Sequence, residues 1–206
     1  MAIRNIIFDW SGTISNDIVP VYLAAMAIFR NFGLAEIQQE EFMRTSVIPY
    51  LPFYQQYIPS ITKEQVDTIF IDAIMRAPHP VPFDGVGNVL RDLSLSKNCI
   101  VMSSHPHQKL LSEARQYGFA SYFQEIHGGI PDKTKVILDI MKQHGFLREE
   151  TAYVGDMDHD IHAGTQAGVI TVAVTWGYHD EKKLAACKPR FIAHSLAELQ
   201  ILLSPQ

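Results

Sequence analysis

The chain of 206 residues is poor in several things, and each shortage removes a class of protein. It has two cysteines, Cys99 and Cys187, far apart in sequence. A disulfide framework and a cysteine-built zinc site are thereby excluded as organising features, and a reducing compartment is expected. Charged residues make up 19% of the chain, the net charge is −5, and there is no long basic run. Nucleic acid and anionic membrane are therefore not expected as partners. No apolar stretch is long enough to cross a bilayer. The first residues, Met1-Ala2-Ile3-Arg4-Asn5, show no leader pattern, so a cytoplasmic protein is expected. Internal repeats and low-complexity segments are missing too, and nothing in the sequence indicates an oligomeric state.

What remains is a globular chain, 47% hydrophobic, with material for a normal core. Its length fits one domain with a sizeable insertion. Beyond about residue 80, short apolar runs alternate with helical patterns. Cys99–Met102, Tyr122–His127, Thr151–Val154, Val169–Val174 and Phe191–Ala193 read as strands. Gln108–Tyr117, stopped by Gly118, and Lys133–His144, stopped by Gly145, read as helices, and another starts at Leu196. This alternation predicts an α/β fold with a mostly parallel sheet and helices on both faces. Residues 15–82 differ. They show helical spacing in Val21–Phe32 and Gln65–Met75, with prolines at 49, 52 and 59 in the middle and at 78, 80 and 82 at the end. They read as an α-helical insertion into a core formed by residues 1–14 and 83–206.

Four pieces fall at strand ends. In Ile6-Ile7-Phe8-Asp9-Trp10-Ser11-Gly12-Thr13 an apolar strand ends in a carboxylate and a Gly-Thr turn follows. The carboxyl end of a buried strand is where ligands bind in open α/β sheets. A carboxylate there can be a nucleophile, a metal ligand, or both. Ser103-Ser104 follow the strand ending at Met102; a hydroxyl and backbone N–H groups there can hold an anionic oxygen, or simply cap a helix. Lys133 or Lys135, after Gly128-Gly129-Ile130-Pro131, can neutralise a phosphate and a carboxylate. Finally, Val154-Gly155-Asp156-Met157-Asp158-His159-Asp160 delivers three acidic residues from one strand end. Oxygen-only ligands of that kind suit Mg²⁺.

Taken together, these motifs resemble those of the haloacid dehalogenase superfamily of hydrolases. Asp9 to Thr13 is similar to its first motif, Ser103 to its second, Lys133 to its third and Gly155-Asp156 through Asp160 to its fourth. Pro82-Phe83-Asp84-Gly85-Val86 resembles the return from a helical cap to the core. The run from Gln166-Ala167-Gly168 to Trp176-Gly177 is similar to phosphoglycolate phosphatase-like members. The resemblance implies a Rossmann-like core with a helical cap that closes over the site. It also implies an aspartyl-phosphate on Asp9, and Mg²⁺ held by Asp9, the Ser11 carbonyl and Asp156 with Asp160 in support. Ser103 and Lys133 would hold the phosphoryl oxygens, with Gly12, Thr13, Ser104 and Arg44 as further substrate contacts. The implied substrate is a small phosphorylated metabolite.

One position departs from that pattern. Family phosphatases carry a second aspartate where this chain has Ser11, and a positioned acid/base is worth about 10²- to 10⁴-fold in rate. A slow phosphatase, with His105, His107 or His159 supplying the proton, is the leading expectation. Asp-Trp-Ser-Gly-Thr also resembles the first motif of phosphonoacetaldehyde hydrolases, which need a cap lysine to form an imine. Lys63 is the only lysine in the insertion; Arg44 stands nearer to where such a lysine is expected. A binding module with vestigial activity is a third reading. The aromatic cluster Tyr50, Phe53, Tyr54 and Tyr57 reads as packing or as the lining of a pocket.

Overall fold

The computed structural model describes residues 2–204. The chain divides into two compact units, residues 17–80 and the remainder.

The larger unit opens with β1 (Asn5–Asp9), whose five residues are all buried. The two-residue strand β2 (Ser15–Asn16) follows. The smaller unit then contributes α1 (Ile18–Asn31), α2 (Gln39–Thr45), α3 (Leu51–Gln55) and α4 (Lys63–Ile74). Back in the larger unit come β3 (Val81–Pro82), α5 (Val86–Ser94), β4 (Asn98–Met102) and α6 (His107–Gln116). They are followed by β5 (Glu125–His127), α7 (Lys133–His144), β6 (Thr151–Gly155) and α8 (Asp158–Ala167). The unit ends with β7 (Ile170–Val174), α9 (Glu181–Ala186), β8 (Phe191–Ala193) and α10 (Leu196–Leu203).

The main sheet has six strands in the order β5-β4-β1-β6-β7-β8, every pair parallel. The chain builds outward from β1 through β4 to β5 on one side, then crosses back to β6 on the other. The strand order therefore reverses beside β1, and the crevice at its carboxyl end is where such sheets bind ligands. Register completes the placement. Asp9 sits opposite Met102 on β4, and Phe8 opposite Val154 on β6. Asp9, Ser103 and Asp156 thus leave three adjacent strands at the same edge.

Strand periodicity assigns the two faces. Ile6 and Phe8 point toward a core that includes Val89 and Leu90 of α5, Leu110 of α6 and Leu199 of α10. Ile7 points the other way, toward Ile137 of α7, Ala163 of α8 and Tyr153. One expected strand is shorter than its sequence suggests. Residues Ala120–Tyr122 form a 3₁₀ turn, and β5 starts only at Glu125. The Gln124 N–H reaches the Cys99 carbonyl at 2.8 Å, so pairing begins as soon as the turn permits.

The helical unit packs α1 against α4. Its interior is aromatic. Phe53 lies against Phe29, Phe42, Tyr54 and Tyr57 at centroid distances of 5.0–6.3 Å. Phe53 and Tyr54 are buried, so at least these two members of the cluster serve the unit's own core. The insertion expected over 15–82 is slightly shorter as a compact unit. Ser15 and Asn16 pair antiparallel with Pro82 and Val81 and belong to the larger unit.

Candidate active site

Asp9, Asp156 and Asp160 each offer a carboxylate oxygen, all within 4.8 Å of one another. They are 4%, 0% and 0% exposed. Lys133, at the first turn of α7, reaches into this group. Its Nζ donates to Asp9 Oδ1 and to Asp160 Oδ1, both at 2.6 Å. The sequence left Lys133 and Lys135 as alternatives, and the structure separates them. Lys133 is buried against the carboxylates, whereas Lys135 is exposed and its backbone N–H caps the helix on Asp132 Oδ1 at 3.1 Å.

The three carboxylates differ in how they are held. Asp156 accepts from Thr13 Oγ1 at 2.9 Å on one oxygen and from the Tyr178 N–H at 2.7 Å on the other. A Cβ at Gly12, whose φ is +72°, or at Gly177 would run into this carboxylate, so both positions require glycine. Asp160 is held on both oxygens as well. Oδ1 accepts from Lys133 and from the Tyr153 hydroxyl at 2.8 Å, and Oδ2 from the Met157 N–H at 3.1 Å. The expected substrate contacts Gly12 and Thr13 have other bonds here. The Gly12 N–H donates to the Ser15 carbonyl at 2.9 Å, and the Thr13 hydroxyl serves Asp156.

These bonds set the charges. Burial pushes Asp9 up to about 7; Lys133 pulls it down and Asp160 pushes it further up. Asp156 lies well above the carboxylate range because of burial, with the charges of Asp160 and Asp9 adding to the effect. Asp160 goes the other way. Burial opposes its ionisation, but His159, Lys133 and the Tyr153 hydroxyl hold it at about 2. For Lys133, burial favours the neutral amine, and the charges of Asp160 and Asp9 outweigh it and raise its pKa. Were all three carboxylates ionised against one ammonium, the buried site would carry an excess of negative charge, and burial and mutual repulsion therefore hold protons on Asp9 and Asp156 to higher pH. A divalent cation would compensate that charge, and an all-oxygen donor set suits Mg²⁺.

Ser103 is buried. Its N–H donates to the His127 carbonyl at 2.9 Å, and its Oγ accepts the His105 N–H at 3.1 Å. Ser104 is exposed. Ser11 lies in the turn after Asp9, bridged to Ser15. The histidines named as substitute acids are poorly suited to that task in this state. Burial, with Lys109 adding to it, lowers His105 to about 4; burial also lowers His159 to about 4, although Asp160 works against it. Both are neutral near pH 7. His107 is exposed. Arg44 lies on α2 of the helical unit, also exposed. Lys63 donates to Asp67 Oδ2 at 2.6 Å and lies 5.8 Å from the Tyr50 ring centroid. Hydrogen bonding to Asp67 raises its pKa, which keeps it protonated and unsuited to imine formation.

Two participants escaped the sequence reading. Tyr153 sits inside an apolar strand, where its hydroxyl is indistinguishable from a core tyrosine until α8 is placed beside it. Glu113 was one polar residue among several on α6. In the fold it accepts the Trp10 indole N–H at 2.7 Å.

A family model described as haloacid dehalogenase-like hydrolase matches residues 6–174, and the chain belongs to that family of enzymes. It is 27% identical over 206 residues to a phosphoglycolate phosphatase of Synechococcus elongatus, covering 94% of each chain. To a phosphoglycolate phosphatase of Vibrio vulnificus it is 26% identical, covering 96% of this chain and 94% of the other. Among solved structures, the fold matches a putative phosphoglycolate phosphatase from Lactobacillus delbrueckii with a TM-score of 0.85 at 18% identity over all of both chains. It also matches a haloacid dehalogenase-like hydrolase from Streptococcus pneumoniae with a TM-score of 0.84 at 20% identity, covering 98% and 99% of the two chains. Among the described residues, no helix is long and apolar enough to cross a membrane.

Proposed function

We propose that this enzyme hydrolyses a small phosphate monoester, with Asp9 as nucleophile. The observation that carries the reading is the 2.6 Å bond from Lys133 to Asp9, made at a strand end beside Asp156. Asp9 attacks phosphorus, the P–O bond to the leaving group breaks, and an aspartyl-phosphate forms; water then releases phosphate and restores the carboxylate. Lys133 orients the nucleophile and offsets its charge as phosphate approaches. The Ser103 hydroxyl donates to a phosphoryl oxygen, with Ser104 flanking it. Catalysis of this kind rests on positioning and charge compensation.

Asp9, Asp156 and the Ser11 carbonyl would hold Mg²⁺. Asp160 anchors Lys133 and would support the ion directly or through water. When bound, the ion supplies Lewis-acid compensation of phosphoryl charge. Ser11 leaves the leaving oxygen without a dedicated acid, so turnover is slow with alkyl phosphates and faster with leaving groups that need no proton. The similarity to phosphoglycolate phosphatases supports a small anionic substrate. The protonated, Asp67-bound Lys63 counts against C–P cleavage through an imine.

The test is phosphate release from 2-phosphoglycolate and p-nitrophenyl phosphate with and without Mg²⁺, in wild type, Asp9→Asn and Ser11→Asp. Loss of turnover in Asp9→Asn, and a gain of about tenfold or more on 2-phosphoglycolate in Ser11→Asp, are expected within the range of acid/base effects. Undiminished turnover in Asp9→Asn would sink the reading.

A further inference from the structure

The chain has two tryptophans, and both indole N–H groups are tied to the turn that follows Asp9. Trp176 Nε1 donates to the Thr13 carbonyl at 3.1 Å. Trp10 lies within the turn itself, fully buried, and its Nε1 donates to Glu113 Oε2 at 2.7 Å. Because Asp9 and Trp10 are neighbours leaving a strand, their side chains go to opposite faces. Asp9 faces Lys133, while Trp10 joins the core beside α6. There the indole stacks on Tyr117 at 5.5 Å with the rings 12° apart, and the Tyr117 hydroxyl lies 3.0 Å from Ser15 Oγ. The Trp10 carbonyl also accepts the N–H groups of Ile14 and Ser15, both at 2.9 Å.

We infer that Glu113 is a positioning residue for the Asp9 turn. Glu113 is 7% exposed; its Oε2 takes the indole N–H, and its Oε1 lies 3.8 Å from Lys109 Nζ one turn earlier on α6. An amide side chain could satisfy the indole N–H at a smaller desolvation cost. What the carboxylate adds is a short, charge-assisted bond that fixes the ring next to Asp9 in one orientation. With α6 gripping Trp10 from one face and Lys133 gripping Asp9 from the other, the nucleophile's backbone is held against both faces of the sheet. Nucleophilic displacement is sensitive to such placement, since a 1 Å error can cost about 100-fold in rate. This role rests on the proposed reading of Asp9 as the nucleophile.

Three variants test it. Glu113→Gln keeps an acceptor for the indole; Glu113→Met fills the space without one; Trp10→Phe keeps a ring on Tyr117 without the N–H. Amide hydrogen exchange of residues 11–15, measured against β7 in the same protein, separates bracing of the turn from general stability. In Glu113→Met and Trp10→Phe, exchange at 11–15 is expected to rise about tenfold more than in β7. On 2-phosphoglycolate with Mg²⁺, kcat should fall about tenfold with KM changed less than twofold. Glu113→Gln, which keeps an acceptor without the charge, should recover part of both. If Glu113→Met does not fold, Trp10→Phe carries the same comparison. Equal changes at 11–15 and β7, or a Glu113→Gln as impaired as Glu113→Met, would overturn the assignment. A wild type that turns over neither phosphate ester would refute the nucleophile reading instead, and the exchange data would still decide whether Glu113 braces the turn.

Discussion

The two units of the molecule treat charge in opposite ways. In the helical unit, apart from the buried Asp17 at its start, the ion pairs lie at the surface. Lys63–Asp67, Arg76–Asp72 and Arg30–Glu36 are largely exposed pairs around an aromatic interior. In the larger unit, Asp9, Lys133, Asp156 and Asp160 are buried together. Exposed pairs contribute little, typically about 0–1 kcal/mol. Buried charges carry a desolvation cost of several kcal/mol per ion and persist only in a network. Surface pairs can be acquired or lost with little consequence, whereas a buried cluster of three carboxylates around one ammonium is costly to the fold, and strongly perturbed groups of that kind concentrate at functional sites.

The contrast breaks most sharply at Lys133. Lys133→Met should destabilise the protein by about 3–5 kcal/mol, the usual cost of orphaning a buried ion-pair partner. It should also abolish phosphate release, and Tm together with initial rates checks both. A melting temperature unchanged by this substitution would mean that the buried pair is not structural. Magnesium is expected to act next. A folded-state pKa for Asp9 of about 7, above its unfolded value, means the folded protein binds the extra proton between roughly pH 4 and 7. Stability from this group is therefore present at acid pH and lost as pH rises through that window. Asp156 shifts in the same direction. Mg²⁺ at a hundredfold excess over its Kd adds about 2.7 kcal/mol, or roughly 5–10 °C at this chain length. The gain should be larger at pH 8 than at pH 5, where protons compete for the site; thermal melts at the two pH values decide.

Tyr153→Phe should have a smaller effect. It removes one of two donors to Asp160 Oδ1, and a hydrogen bond to a charged group is worth about 1.5–3 kcal/mol. A kcat lowered several-fold, with near-normal KM, is expected from steady-state kinetics. Smallest of all is Lys63→Ala in the helical unit. Melting should move by no more than about 2 °C, as for an exposed pair, and phosphate release should be unchanged. Loss of activity in this variant would revive the imine reading.

How much of this was legible in the sequence follows the same division. Asp9 stands out because an apolar strand and a Gly-Thr turn are local features. Lys133–His144 is visible as a helix from its periodicity and from Gly145, whose φ is +67°. The residues by themselves left Lys133 and Lys135 open, and only the family resemblance favoured Lys133. The choice depends on which side of α7 faces α8, a tertiary fact. Asp160 could be read as acidic but not as the anchor of Lys133, because its partners lie 7 and 27 residues away. Thr13 was taken for a substrate contact, yet its hydroxyl reaches Asp156 across 143 residues. Glu113 and Trp10 were invisible as a pair for the same reason, being 103 residues apart.

The ribbon of β2 and β3 has a consequence for how the chain can be rebuilt. Asn16 and Val81 are registered partners, so the chain leaves the larger unit and re-enters it at one point. A two-residue Asn-Gly turn placed between them would convert the ribbon into an ordinary β-hairpin without altering its register. Residues 17–80 are in this sense a detachable module. They can be shortened, exchanged for the equivalent segment of a relative, or removed, without rerouting any strand of the sheet that carries Asp9.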